Sequence, residues 1–145
     1  MANSMRSKYG GLTSNFAAAI EQFQIDALEA IDQGIRDIVV QVGESIINLS
    51  PVDTGRFKSN WILTLGAPAA HSNISTDKDG DETIAKLIAA VNKMEPGDVA
   101  YIVNNLVYAV PLEYGHSQKA PTGMVRRTLA EFQRIVEDVI RANKV

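Results

Sequence analysis

The stretch "SPVDTGRFKSNW", residues 50–61, separates two patterns of apolar residues. Pro51 ends a helical pattern, because the residue before a proline is disfavoured in the helical region. Asp53-Thr54-Gly55 is typical of a turn, in which the aspartate bonds back to the backbone and the glycine adopts positive φ. After the turn the apolar residues recur with period two, which predicts a strand buried on one face. The inward residues would be Phe57, Trp61, Leu63 and Leu65, with Lys58, Asn60 and Thr64 outside.

On the N-terminal side of this stretch, apolar residues recur at steps of mostly three and four from Phe16 to Leu49. This spacing predicts one long amphipathic helix. Unbroken, it would run about 50 Å at 1.5 Å per residue, longer than a compact domain of this size needs. Either the helix bends near Gly34 or Gly43, or another chain covers part of its apolar stripe, and we favour the second explanation. Residues 1–14 are predicted to form a flexible arm, with Thr13 or Ser14 as the helix N-cap.

On the C-terminal side, residues 66–80 are small and polar and are predicted to form an exposed loop. A loop of this length in a small domain is often functional. A short amphipathic helix should follow, ending near Val91 and capped by Asp81. Residues 99–105 read as a strand that ends at Asn104-Asn105.

The last third of the chain carries two further helical signals. Tyr108, Leu112 and Glu113 would share one face of a short helical turn that Gly115 closes. Apolar residues from Val125 to Ile140 then define an amphipathic helix, with Pro121 at or just before its start. The order of elements predicts an α+β fold with a small, mostly antiparallel sheet, packed by the long N-terminal helix and the C-terminal helix, with a short middle helix. Residues 15–145 would form a single domain.

The composition offers few groups for chemistry. The chain has 145 residues and a formal net charge of −3, so no basic field argues for nucleic acid. Cysteine is absent, which excludes disulfides, thiol nucleophiles and Cys-zinc sites. His71 and His116 lie far apart and lack an obvious ligand partner, so we expect no metal or cofactor. No apolar run reaches the roughly 18 residues of a membrane span, and we expect no membrane partner.

Asp53-Thr54-Gly55 is also the catalytic tripeptide of aspartic proteases, whose paired carboxylates share a proton. With one copy of the motif, the second aspartate would have to come from a dimer. Arg56 directly after the motif favours the ionised carboxylate and opposes proton sharing, and long helices are foreign to that all-β fold. Glu113 could act as an acid or base, but a structural carboxylate is the commoner case. A dimeric aspartic protease is a remote alternative, and we expect no enzymatic activity.

A second stretch, "GDVAYIVNNLVYAVPLEYGHSQKAPTGMVRRTLAEF", covers residues 97–132. Together with residues 50–61 it resembles the tail-completion and tail-component proteins of long-tailed bacteriophages, and most closely the branch typified by minor tail protein Z of lambda-like phages. The broader family often begins its last helix with an aromatic-rich Pro-Phe-Leu-Arg-Pro, where this chain has "APTGMVRRT". Residues 66–80 match nothing in the family. The matching positions are Pro51, Asp53, Thr54, Gly55, Arg56, Gly97, Asp98, Tyr101, Asn104, Asn105, Tyr108, Ala109, Leu112, Glu113, Gly115, Ser117, Gln118, Ala120, Pro121, Gly123 and Met124.

The resemblance implies a virion structural protein, made in the host cytoplasm, that sits in the neck at the head-proximal end of a long tail. Such tail completion proteins terminate tube growth as a homo-oligomeric ring, commonly a hexamer. The ring contacts the tail tube protein and the head-tail connector or stopper protein, and DNA passes through its channel without specific binding. The family has no known enzymatic role.

The residue pattern is compatible with a ring, which needs two different patches on each subunit. The overlong first helix and the loop at 66–80 are candidates for those patches. A net acidic chain also lacks the excess of cationic groups that would grip the phosphates of sliding DNA. The alternative is a stand-alone adaptor module whose first helix docks in a partner's groove.

Several residues are assigned structural or interface roles. Asp53 and Gly55 would fix the turn, and Trp61 would be an anchor in the core or at an interface. Arg56 and Glu113 would form an ion pair between the two motif segments, unless each is solvated separately. The full set of candidates is Asp53, Thr54, Gly55, Arg56, Trp61, Asn104, Asn105, Tyr108, Glu113, Tyr114, Gly115, Ser117, Pro121, Gly123 and Met124.

Overall fold

The computed structural model describes residues 13–143, and the fold is α+β, as the sequence predicts. The predicted arm at 1–14 and its N-cap lie outside what the structure describes, apart from the backbone of residues 13 and 14. Among the described helices, none is long and apolar enough to cross a membrane. The described elements are α1 (Thr13–Leu49), α2 (Arg56–Ser59), β1 (Trp61–Leu65), α3 (Asp81–Val91), β2 (Ala100–Asn104), α4 (Ala109–Glu113), α5 (Val125–Ala130) and α6 (Phe132–Ala142).

Helix α1 continues as a single element through both of its glycines, which are positions where other helices pack closely. A Cβ built on Gly43 would lie 2.5 Å from Leu87 Cδ2 of α3. A Cβ on Gly34 would lie 3.7 Å from Val139 Cγ1 of α6. The two glycines therefore let α3 and α6 approach the α1 backbone.

The sheet is a single antiparallel pair within residues 13–143, with register from Trp61 opposite Asn104 to Leu65 opposite Ala100. The second strand confirms the prediction for residues 99–105 to within a residue at each end. The first strand begins later than predicted, because Gly55 at φ 90° starts the short helix α2. Phe57 and Trp61, four residues apart, meet edge to face with ring centroids 5.8 Å apart.

The predicted polar face of the first strand is also wrong at two positions. Lys58 is 8% exposed and Asn60 is fully buried. The alkyl stem of Lys58 packs beside Gly80, since a Cβ there would lie 3.2 Å from Lys58 Cδ. Asn60 is satisfied by the backbone of Asn73, whose N–H donates to its Oδ1 at 2.8 Å and whose carbonyl accepts from its Nδ2 at 3.1 Å.

Two apolar clusters form the core of the described residues, and they share the end of α1. The first contains Ile46, Phe57, Leu106, Ala120 and Met124. The second contains Ile47, Leu63, Leu87, Val91 and Met94. Ile46 and Ile47 are adjacent in sequence, so α1 passes between the two clusters, and Trp61 packs against both. Trp61 therefore is a core anchor, half-buried, whose indole Nε1–H donates to Ser50 Oγ at 2.8 Å.

The loop at 66–80 has no helix or strand, and side-chain amides and hydroxyls fasten it to the body. Asn105 Nδ2 donates to the carbonyls of Ala69 and His71, at 2.8 and 3.0 Å. Ser59 Oγ accepts from the Asp77 N–H at 2.7 Å. Most of its side chains remain exposed.

Asp77, rather than the predicted Asp81, caps the middle helix α3. Its carboxylate accepts from the Thr83 N–H at 2.9 Å and from the Gly80 N–H at 3.2 Å. The hydrogen bond from the Thr83 N–H has the largest effect on the pKa of Asp77. Together these bonds outweigh desolvation of the carboxylate and hold that pKa below its ordinary value. Asp81 itself is the first residue of the helix.

The C-terminal helical pattern is divided in two. Helix α5 begins at Val125, four residues after Pro121, and Glu131 separates it from α6. The short turn around Tyr108 forms as predicted: α4 ends at Glu113, and Gly115 has φ 88°. Residues 121–124 are occupied by a turn with Gly123 at φ 81°, which explains the later helix start.

The two glycines of α1 should respond oppositely to alanine. Gly34→Ala meets only ordinary van der Waals contact and should gain up to about 1 kcal/mol of stability from helix propensity. Gly43→Ala must displace the buried Leu87 side chain, and overpacking of about 1–3 kcal/mol should cancel or exceed the same gain. Urea unfolding of both variants measures the difference. Equal stabilisation by both would show that Leu87 moves aside freely.

Candidate interaction surface

The two motif segments lie against each other, joined by contacts other than the predicted ion pair. Asn104 Nδ2 donates to the carbonyl of Phe57 at 2.9 Å. The Tyr108 ring lies 6.0 Å from the Phe57 ring. Lys119 Nζ donates to the Val52 carbonyl at 2.8 Å. The segments form one continuous structural unit over the first cluster.

The turn at 53–55 is fixed by Gly55 and Thr54. Gly55 is buried at positive φ, and a Cβ there would lie 2.8 Å from the backbone of Thr76 and Lys78. Thr54 Oγ1 accepts from the Arg56 N–H at 3.2 Å, the role that the sequence assigned to Asp53. Asp53 is exposed. The positive φ predicted for Gly55 is confirmed, but the side-chain hydrogen bond of the turn comes from Thr54 and not from Asp53.

Glu113 caps helix α5 and pairs with Arg126 instead of Arg56. Its Oε1 accepts from the N–H groups of Met124 and Val125, both at 2.9 Å. Its Oε2 accepts from the N–H of Arg126 at 3.0 Å and from its Nε at 3.1 Å. Arg126 Nη2 also donates to the Glu113 carbonyl. The predicted Arg56–Glu113 pair is wrong, because these donors use both carboxylate oxygens and Arg56 is exposed.

The cap explains the protonation behaviour of Glu113. Burial raises the pKa of Glu113, since desolvation penalises the charged form. The backbone N–H groups of Arg126, Val125 and Met124, with the Arg126 side chain, favour the carboxylate and outweigh burial. The net effect is a pKa below the ordinary value of 4.5.

Three neighbouring candidates support this cap. A Cβ on Gly123 would collide with the Glu113 carboxylate, so only glycine admits it. A Cβ on Gly115 would lie 2.9 Å from the Pro121 carbonyl. The exposed Tyr114 ring lies 4.8 Å from the Arg126 guanidinium carbon, within cation–π range.

The remaining candidates are structural. Met124 is fully buried in the first cluster. Ser117 Oγ accepts from the Lys119 N–H at 3.2 Å. Asn104 Oδ1 accepts from the Leu106 N–H at 3.2 Å, and Asn105 holds the loop as described above. No sequence signal pointed to Arg126, Asn60 or Asp77, since their partners are set by the fold.

A cavity of about 280 Å³ lies between the motif segments. Asp53, Thr54, Tyr108, Ser117 and Lys119 line it together with apolar side chains. Within residues 13–143, no group of three or more His, Asp or Glu side chains is arranged to hold a metal ion. Among the described residues that line this cavity, Asp53 is the only one with a carboxylate.

Several exposed apolar side chains lie on the N-terminal half of α1. We define residues 15–33 as the exposed segment, since none of them is buried and the segment ends just before Gly34, where Val139 of α6 approaches α1. Phe23 is 64% exposed and Ile31 61%. Ile20 and Leu28 are also exposed. The segment carries four carboxylates, Glu21, Asp26, Glu29 and Asp32, and no lysine or arginine.

A second exposed apolar stripe runs along α5 and α6, and a groove joins it to the first. Leu129, Phe132 and Ile140 are exposed, while Thr128, Ile135 and Val139 on the adjacent face are buried. The groove has a volume of about 380 Å³, and Ile31, Ile35, Val136 and Ile140 are among the side chains that line it. An exposed apolar surface that continues across two helices is a candidate interaction site.

Comparison of the chain with protein-family models, with curated proteins and with solved structures found no match.

Replacing Glu113 should lower the free energy of unfolding, because Glu113 caps helix α5. Glu113→Gln keeps the size but leaves an amide facing backbone donors, so we expect a loss of about 1.5–3 kcal/mol in the free energy of unfolding. The matched control is Glu82→Gln. The Glu82 carboxylate pairs with the exposed Lys86 at 3.2 Å, so its loss should change stability by less than about 1 kcal/mol. Chemical denaturation compares the two, and equal effects would contradict the capping role.

The same cap predicts a pH dependence. The folded pKa of Glu113 is depressed, so its stabilisation is present in full above the ordinary value of 4.5 and is lost as pH falls through the folded pKa. The difference in unfolding free energy between the wild-type protein and Glu113→Gln should be constant at neutral pH and narrow below 4.5. If this difference in unfolding free energy stayed constant as the pH was lowered below 4.5, the result would argue against an ionised Glu113 as the cap.

Proposed function

We propose that this protein is a virion structural protein at the head-proximal end of a long phage tail. It forms a ring that completes the tail and joins it to the head connector. The single observation that carries the proposal is the apolar surface left uncovered on α1, α5 and α6. A protein that functions as one member of a closed assembly has reason to keep such a surface.

The energetic scale supports association. Full burial of one Leu, Ile or Phe side chain is worth roughly 1.5–3 kcal/mol relative to exposure. The exposed segment and the α5–α6 stripe together offer Ile20, Phe23, Ile31, Leu129, Phe132 and Ile140, all partly exposed. Even half of their transfer energy would offset much of the cost of bringing two subunits together.

The motif residues support the proposal in a different way. The positions that resemble the phage tail-completion family hold two segments together over a shared cluster, through Gly55, Glu113, Gly123 and Met124. They build the subunit, and they leave its outer helix faces for contacts with neighbours. In this proposal the neighbours are copies of the same chain, the tail tube protein and the head-tail connector or stopper.

Neither an enzymatic activity nor a cofactor is part of the proposal. The channel of the ring would pass DNA without sequence-specific binding, and the net charge of −3 disfavours tight phosphate contacts. The subunit would act in the neck of the virion through surfaces alone.

The test is an image reconstruction of particles of the phage that encodes the chain. We expect the fold described here, with its long helix α1, to fit density between the tail tube and the head connector in several symmetric copies. Finding no copy of the chain in the particle would overturn the proposal.

Two biochemical outcomes would favour the alternatives. A stable monomer that binds an unrelated protein through α1, and is absent from particles, would favour the adaptor module. Peptide cleavage that Asp53→Asn abolishes would favour the dimeric aspartic protease.

A further inference from the structure

We propose that the contact between neighbouring subunits is heterologous: the exposed segment of α1 in one copy packs along the α5–α6 stripe of the next copy. This inference rests on the proposed function and deepens it, because it names the two surfaces that meet. We call the exposed segment at 15–33 the donor. We call the stripe formed by Leu129, Phe132, Val136 and Ile140 the acceptor.

Donor and acceptor have the same spacing. The donor positions Ile20, Phe23, Ala27 and Ile31 follow each other at steps of three, four and four. The acceptor positions repeat those steps over the same number of residues. The donor stripe is about 16 Å long at 1.5 Å per residue. The acceptor crosses the break at Glu131, so Leu129 lies on α5 and the other three positions lie on α6. Phe23, Ala27 and Ile31 can therefore interdigitate with the α6 part of the acceptor over about 12 Å.

The acceptor is held at a fixed orientation. Ile135 and Val139 are buried against the body, at 3% and 2% exposure. Ser45 and Thr128 share a hydrogen bond of 2.8 Å between α1 and α5. Asn143 Nδ2 donates to Asp37 Oδ2 at 3.0 Å near the end of α6. These contacts leave Leu129, Phe132 and Ile140 exposed on a rigid support, while Val136 is half-buried beside the groove.

Charge favours this pairing over the pairing of two donors. Each donor carries four carboxylates, of which Asp32 pairs with Arg36 just beyond the segment. Glu21, Asp26 and Glu29 have no such pair within the segment, so two donors side by side would bring like charges together. Residues 125–142 carry the four arginines Arg126, Arg127, Arg134 and Arg141 against three acidic residues. Most of these charges are paired, as Arg134 is with Glu131 and Asp138, so a donor laid on the acceptor of another copy does not meet a second row of unpaired carboxylates.

A heterologous contact also has the symmetry that a ring requires. Each copy offers one donor and one acceptor, so every addition leaves a new donor and a new acceptor until rotation closes the assembly. The groove beside Gly34 joins the two stripes within one copy. A subunit could thus hold its two neighbours on adjoining surfaces.

The experiment uses two full-length variants that each lose one half of the contact. Phe23→Asp disables the donor and Phe132→Asp disables the acceptor. Both side chains are exposed, at 64% and 42%, so the fold should be retained, and circular dichroism and unfolding curves check it. Each change should raise the dissociation constant by about 30-fold or more. Val107→Asp is the control, since Val107 is 94% exposed and lies outside both stripes.

Sedimentation velocity then follows each protein alone and the mixture. The wild-type protein and Val107→Asp should associate, and each disabled variant alone should be monomeric. An equimolar mixture of the two disabled variants should give a heterodimer that does not grow, built from the intact donor of one and the intact acceptor of the other.

Three results would overturn the heterologous contact. The first is a wild-type protein that stays monomeric at about 1 mM, a concentration at which even a complex with a millimolar dissociation constant would form in part. The second is a Phe132→Asp variant that associates like the wild-type protein. The third is a mixture of the two variants that contains no heterodimer. Particle images separate this inference from the proposed function. A subunit located in the neck, with no heterodimer in the mixture, would retain the function and reject this interface.

Discussion

The length of helix α1, compared with the helices that pack on it, is the constraint on which the rest of the structure depends. Its last part is covered: Gly43, Ile46 and Ile47 are buried between the two clusters, with α3 and α6 on either side. Its first part continues beyond that cover with the same apolar spacing and no buried residue from 15 to 33. An amphipathic helix gains most of its stability by burying its apolar face. Since this chain does not supply the cover among its described residues, the uncovered stripe is the feature that needs a functional explanation.

The motif residues and the exposed apolar side chains have different roles: the first stabilise the fold, and the second form the candidate interaction surface. Gly55 and Gly123 allow close approach of backbone or carboxylate that any side chain would block, and Glu113 supplies the helix cap that Met124 at the start of α5 cannot. These residues set the relative positions of the strands, the α4 turn and α5. The exposed segment of α1 lies outside the two motif segments, whereas Leu129 and Phe132 of the α5–α6 stripe lie within residues 97–132. The two motif segments therefore concern the construction of the domain.

The sequence predicted the elements whose signal is local and repeated. The apolar period gave α1 its full length, and it located α3, β2 and the C-terminal helical region. It failed where one spacing fits two structures: Phe57 and Trp61 are compatible with a strand of period two and with one turn of helix. It failed again where a distant group decides the outcome. Asp77 and Glu113 each cap a helix that starts several residues later in the sequence. Glu113 pairs with Arg126, and opposite charge alone could not have distinguished Arg126 from the predicted partner Arg56. Pairing between segments is a property of the folded chain, so it needs coordinates.

Stability and association are separable in this architecture. The clusters that stabilise the fold involve α1 only from about Val39 onward, so the packed end can nucleate the helix. Nucleation is the unfavourable step of helix formation, and each residue added afterwards contributes a hydrogen bond. The exposed segment can therefore extend from the packed end without contributing to the core. Burial of its apolar face by a neighbour would then add to association and, through mass action, to the apparent stability of the helix. In the proposed ring, a subunit built in this way would fold through its motif segments and assemble through the part of α1 that the other described residues leave uncovered.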